Sequence, residues 1–153
     1  MDMQGRLRKV TEKDRDLLFE WANDSECRKN SLNSDLIPYE LHCAWFESKL
    51  DSPFCDMYIY MYQGQEAGQI RIDYQDKNGQ ISYSVAKEFR GQGHGGAILQ
   101  LIEEKMEGKI EYLTAIVKFD NIPSQLKFEQ NGYEKEVLGD IIAYRKRVMG
   151  NEA

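Results

Sequence analysis

The chain is poor in the residues that build staples and metal sites. Its 153 residues include three cysteines, three prolines and two histidines. Cys27, Cys43 and Cys55 are odd in number and form no Cys-x-x-Cys pair, which argues against a disulfide framework and for free thiols in a reducing compartment. His42 and His94 do not cluster with them, so no metal is expected. No apolar run reaches membrane-span length; the longest candidate, MYIYMY at 57–62, is strand-sized. The opening MDMQGRLRKV has no apolar signal core. A cytoplasmic protein without a membrane partner is therefore expected. A net charge of −6 with no basic block argues against nucleic acid, but leaves room for a small anion held by local donors.

What remains is ordinary globular material, long enough for one domain over 1–153 and too short for two. Arg6–Val10 reads as a strand. Thr11 and Asp14 resemble a capping box, after which Leu17, Leu18, Trp21 and Ala22 share a helical face. CRKNSLNSDLI reads as irregular. Pro38 then opens a helix with the pairs Leu41/Trp45 and His42/Phe46. From Asp56 the period is two: Met57, Ile59 and Met61 alternate with Tyr58, Tyr60 and Tyr62, and strands at Gly68–Tyr74 and QISYSVA complete an antiparallel meander. A helix with Ile98, Leu101, Ile102 and Met106 on one stripe follows. YLTAIVKF suits a strand covered on both faces. Asn121 caps a short helix ending at Gly132, and the tail reads as a hairpin turning near Leu138–Asp140.

Gly91, Gly93 and Gly96 spell G-x-G-x-x-G, a turn that favours phosphate because backbone N–H groups at the helix start point at the anion. Asp120, at the end of the next strand, stands where a ribose-binding carboxylate of a dinucleotide fold belongs. Against that reading, AKEFR separates Val85 from the first glycine, antiparallel hairpins come before the loop, and too little chain follows to complete the fold.

From Arg90 the residues R-G-Q-G-H-G fit Arg/Gln-x-x-Gly-x-Gly/Ala, which resembles the acetyl-coenzyme A loop of the GNAT N-acetyltransferase superfamily. NIPSQLKFEQNGY at 121–133 is similar to that family's closing segment, and the element order over essentially the whole chain is the family's order. The resemblance implies a mixed α/β fold, with a mostly antiparallel sheet of about six to seven strands and helices on both faces. It implies acetyl-coenzyme A as co-substrate and no metal. The amides of Gly91, Gln92, Gly93, His94, Gly95 and Gly96 would cradle the pyrophosphate, flanked by Arg90. The backbone of Ser84 and Val85 would pair with the pantetheine arm, beside Asn121, Ser124 and Phe128. The side chains of Gln92 and His94 are expected to point outward, His94 as a solvated loop residue.

The chemistry implied is direct attack of a neutral amine on the thioester, with a backbone N–H near Val85 as oxyanion donor. Two positions depart from the pattern. Phe128 fills the slot where many relatives carry a tyrosine that protonates the leaving thiolate, and Gln80 stands where some carry a carboxylate base. Asp73 is the best carboxylate for a base; a surface ion pair with Arg71 is the competing reading, and a water chain would also serve. These departures keep a non-catalytic coenzyme A-binding module in play. The run from Leu17 to Leu50 resembles GNAT enzymes that acetylate nucleotide-linked amino sugars of pseudaminic and spore-coat type. Trp21, Asn23, Arg28, Asn30, Ser31, His42, Trp45 and Phe46 carry that likeness. Arg28, Asn30, His42, Trp45 and Arg71 are the acceptor-site candidates, with a small-molecule amine such as a UDP-amino sugar as partner. Core packing is the alternative for Trp21, Trp45 and His42, and solvation for Arg28. A protein N-terminus, a polyamine and an aminoglycoside are alternative acceptors; monomer and homodimer both stay open.

Overall fold

A computed structural model describes residues 5–149. Strand β1 (Arg6–Lys9) leads into the capping box, where Thr11 Oγ1 accepts from the Lys13 amide and Asp14 accepts from the Thr11 amide at 2.8 Å. The cap opens a 3-10 turn at Glu12–Asp14, and helix α1 (Arg15–Ala22) follows directly. Helix α3 (Tyr39–Leu50) begins after Pro38. Between them stands a helix in the segment expected to be irregular, α2 (Ser25–Asn30). It buries no residue, so it carries no apolar period; its caps hold it instead. The Asp24 carboxylate accepts from the Glu26 and Cys27 amides, and Ser31 Oγ donates to the Cys27 carbonyl at 2.7 Å.

The meander is β2 (Cys55–Tyr62), β3 (Gln65–Gln75) and β4 (Asn78–Val85). Helix α4 (His94–Met106) carries the chain to β5 (Tyr112–Lys118), then come α5 (Ile122–Gln130) and the hairpin β6 (Glu134–Leu138) and β7 (Ile141–Arg147). One seven-stranded sheet results, in the order β1-β2-β3-β4-β5-β7-β6, antiparallel at every pairing except β4 with β5.

The alternation in β2 sorts two cores. Met57 and Ile59 pack with Val10, Leu18 and Phe46 beneath α1 and α3. Tyr58 and Tyr60 face the other way, into the larger core with Ile98, Leu99 and Ile102 of α4 and Phe128 of α5. Strand β5 departs from its expected double coverage. Leu113, Ala115 and Val117 are buried under the helices, while Ile116 on the opposite face is 42% exposed. Its apolar run reflects β propensity and one buried face, and the open face borders the site described below.

Asp14 ties the N-terminal layer together. It is 4% exposed, and Arg8 grips both carboxylate oxygens at 2.9 Å. Burial raises its pKa, but the hydrogen bonds from Arg8 and the Thr11 amide outweigh burial and hold it below the ordinary carboxylate value. The linkage is therefore that of a depressed acid: stability is fully present above the unfolded value of about 3.9 and is lost as pH falls through the lower folded one. Asp14→Asn should cost about 2 kcal/mol at neutral pH, read by urea denaturation. The difference from the parent should shrink at low pH; a constant difference down to the acid transition would refute the linkage.

Candidate active site

The glycine loop bends through two left-handed residues, Gly91 at φ 74° and Gly93 at φ 87°. An added Cβ at either would meet nothing within 4 Å, so the loop's outer side is open. Gly93 is the N-cap of α4 and no side chain caps the helix, which leaves the amides of His94, Gly95 and Gly96 without intrahelical partners. Three donors at the positive end of a helix, behind glycines that let an anion approach, could hold a phosphate as a cradle. Gln92 is exposed, as expected, but His94 is not. Its ring is 7% exposed, Nδ1 lies 2.8 Å from the Tyr60 hydroxyl, and Tyr62 and Phe89 meet it edge-on. As the first helical residue it turns its side chain onto the sheet, and burial lowers its pKa, which favours the neutral ring.

Strand β4 pairs with β5 only from Asn78 to Gln80, against Tyr112 to Thr114. Beyond Gln80 the strands separate, and β4's outer edge at Ser84 and Val85 has no strand partner. Across the gap, Asn121 caps α5 by accepting from the Ser124 amide at 3.4 Å, and Ser124 Oγ lies 3.4 Å from the Tyr83 hydroxyl. Phe128 is 2% exposed, stacked on Tyr144 and edge-on to Tyr83 and Tyr133. Arg90 turns away from the cradle. It donates to the Val85 carbonyl at 3.1 Å and pairs with Asp24 at 2.7 Å and Glu26 at 2.9 Å, which braces the loop against α2.

On the sheet face below α3, Asp73 sits between Lys49 (2.7 Å) and Arg71 (2.9 Å), with the Trp45 ring 5.2 Å from the Arg71 guanidinium. Burial raises the Asp73 pKa, and the bonds from Lys49 and Arg71 outweigh it and hold the pKa low. A cavity of about 300 Å³ opens beside this cluster, lined by Asp73, Tyr74, Gln75, Asn78, Gln80 and Thr114. Among the described residues, no group of three or more His, Cys, Asp or Glu side chains is placed to hold a metal ion. No helix of the described residues is long and apolar enough to cross a membrane.

The profile of the Acetyltransferase (GNAT) domain matches residues 6–134, well over half of the chain. The chain belongs to the GNAT acetyltransferase family. It is an acetyl-coenzyme A-dependent N-acetyltransferase. A search of curated protein sequences finds no match. Solved structures share the fold at low identity. Spermidine N-acetyltransferase from Vibrio cholerae, in complex with coenzyme A and spermine, superposes with TM-score 0.85 at 12% identity, covering 96% of this chain and 97% of its own. RimL, a ribosomal L7/L12 α-N-protein acetyltransferase, in complex with coenzyme A, gives 0.83 at 16% over 96% of each chain. A domain from Methanocaldococcus jannaschii gives 0.84 at 18%, over 95% of this chain and 99% of its own.

The GNAT fold gathers part of the acceptor set named from sequence. Trp45 and Arg71 come together on one face, beside Asp73, the candidate base. His42 touches Trp45, with ring centroids 5.8 Å apart, but is 2% exposed; its Nε2 lies 2.9 Å from the Arg15 carbonyl, and Phe19 and Phe46 also flank it, so it packs α3 onto α1. Arg28 is also engaged, donating to the carbonyls of Ala22, Asn33 and Asp35 and to Ser31, which folds the 31–37 loop around its guanidinium. Asn30 is half-buried at the end of α2. Sequence reasoning missed Lys49, Asp24 and Tyr83. Lys49 and Tyr83 gain their partners through tertiary contact, whereas Asp24 is also the local N-cap of α2; that cap and Tyr83's place two residues before Val85 were the available signals.

Gly93→Asp tests the cradle. A carboxylate about 4 Å from a phosphate repels it by roughly 4 kcal/mol at an effective dielectric of 20, and aspartate tolerates the left-handed backbone better than most residues. Coenzyme A affinity should fall by at least about a hundredfold, with the far-UV circular dichroism of the parent retained. Parent-like affinity would remove the loop from the binding site.

Proposed function

We propose that this enzyme acetylates the amine of a nucleotide-linked amino sugar in the cytoplasm, as a single domain spanning 1–153. The observation that carries the reading is the Lys49–Asp73–Arg71 cluster under Trp45. Two cations around one carboxylate leave a positive surplus beside an aromatic ring. That combination suits a diphosphate and a flat, amphipathic sugar or base. It repels the polycations on which a spermidine acetyltransferase acts. The three free thiols are compatible with a reducing compartment.

In this reading the amides from Gly91 to Gly96 hold the pyrophosphate and the free edge of β4 at Ser84 and Val85 pairs with the pantetheine arm. Asn121 and Ser124 border that arm, and a backbone N–H near Val85 meets the developing oxyanion. Asp73, with its proton affinity depressed by two cations, holds Lys49 and Arg71 in place instead of serving as the base. The amine then loses its proton to water.

The test is thiol release from acetyl-coenzyme A across UDP-linked amino-dideoxy sugars, free amino sugars, spermidine, an aminoglycoside and an N-terminal peptide. Turnover should be confined to the nucleotide sugars. Arg71→Ala should raise the acceptor KM about tenfold, about 1.4 kcal/mol, and leave the KM for acetyl-coenzyme A unchanged. Preference for spermidine, the aminoglycoside or the peptide would discard the acceptor reading and keep the acetyl transfer.

A further inference from the structure

We propose that Tyr83 supplies the proton taken up by the departing coenzyme A thiolate, in place of the hydroxyl that Phe128 lacks. The proposal rests on acetyl-coenzyme A use and adds the missing acid to it. Tyr83 belongs to β4, beyond the last pair with β5, and its side chain packs on the sheet face covered by α4 and α5, beside the point where the strands separate. Its ring is edge-on to Phe128 with centroids 5.8 Å apart, and its hydroxyl lies 3.4 Å from Ser124 Oγ. A Cβ added at Gly95, in the first turn of α4, would sit 3.4 Å from the same ring. One hydroxyl is thus bounded by the pyrophosphate helix, the closing helix and the free strand edge.

Two other tyrosines flank Phe128. Tyr144 donates to Glu129 at 2.8 Å; the Tyr133 hydroxyl is buried without a hydrogen-bond partner, and burial together with the charge of Glu103 pushes its pKa far up. Burial also raises the Tyr83 pKa, against a smaller opposing effect of Ser124, so this phenol keeps its proton at neutral pH. An acid in that state can give the proton when the bond breaks. The amine nitrogen forms the new N–C bond and the C–S bond breaks with its electron pair on sulfur. Tyr83 O–H protonates that sulfur, and the proton shed by the amine reaches the tyrosinate through Ser124 or solvent.

Because the acid would also donate to bound thiolate, the test needs no acceptor. Coenzyme A is titrated with pH on the protein, and the thiolate absorbance is read as the difference from the desulfo-coenzyme A complex. The bound thiol should ionise about one pH unit lower in the parent than in Tyr83→Phe, the effect of one charge-assisted hydrogen bond. Coenzyme A affinity at neutral pH and thermal midpoint should be unchanged. Adding Phe128→Tyr to Tyr83→Phe should restore the lower value by returning a hydroxyl to the neighbouring ring. Identical ionisation curves for parent and Tyr83→Phe would overturn the assignment while leaving cofactor binding intact. No binding of coenzyme A to the parent would overturn both.

Discussion

The site depends on one constraint: β4 and β5 are parallel neighbours that stay paired only from Asn78 to Gln80. The α4 crossover joins them, so the first turn of α4 lies at the end of β4 where the strands have parted. A split sheet leaves backbone groups unpaired, which is tolerable only where water or a ligand satisfies them. Each strand is secured on its other side. Strand β4 pairs with β3 from Asn78 to Val85, and β5 pairs with β7 along its whole length. Two firm half-sheets thus flank a slot whose free edge, helix N-terminus and lining hydroxyls all point to a long ligand with an anionic middle. Acetyl-coenzyme A has that shape and charge.

The same split explains the acceptor side. Thr114 and Ile116 of β5 lie on the face that α1 and α3 leave uncovered, next to Gln80 and Asp73. An amine held there faces the sheet from the side opposite α4. The two substrates can therefore meet across the gap without sharing a binding surface, and each surface keeps its own electrostatics. The first turn of α4 offers amides and a helix dipole; the face below α3 offers Lys49 and Arg71.

What was legible in the sequence was local. The capping box at Thr11, the alternation of β2, the Asn121 cap and the hairpin turn at Gly139 each follow from a short-range preference, and the fold realises each. Helix α2 was missed because it buries nothing and so carries no apolar period, although its Asp24 cap was itself a local signal. His94 misled because a glycine-rich loop suggests solvent, whereas the helix begins at His94 itself and aims it at Tyr60. Arg28 and Arg90 misled in one way: an arginine near an expected phosphate invites a phosphate role. Asp24, Glu26 and a row of carbonyls supply partners that no sequence spacing announces.

Arg90 shows why that engagement matters. Its guanidinium joins the carbonyl of Val85, at the strand edge, to the acidic start of α2, on the acceptor side. Three charged or polar bonds from a half-buried fork hold the loop's base more firmly than a single contact to a mobile phosphate would. The directions of the glycine-loop amides depend on the fixed ends of the loop. Backbone recognition makes no demand on the side chain of Gln92, which is exposed, whereas His94 is buried against Tyr60. A proton donor is less forgiving, since it must place one hydroxyl at one point in space. That point can be reached from β4 as well as from α5, so a phenylalanine at 128 need not mean a missing acid when a tyrosine of β4 meets its ring and brings a hydroxyl to Ser124.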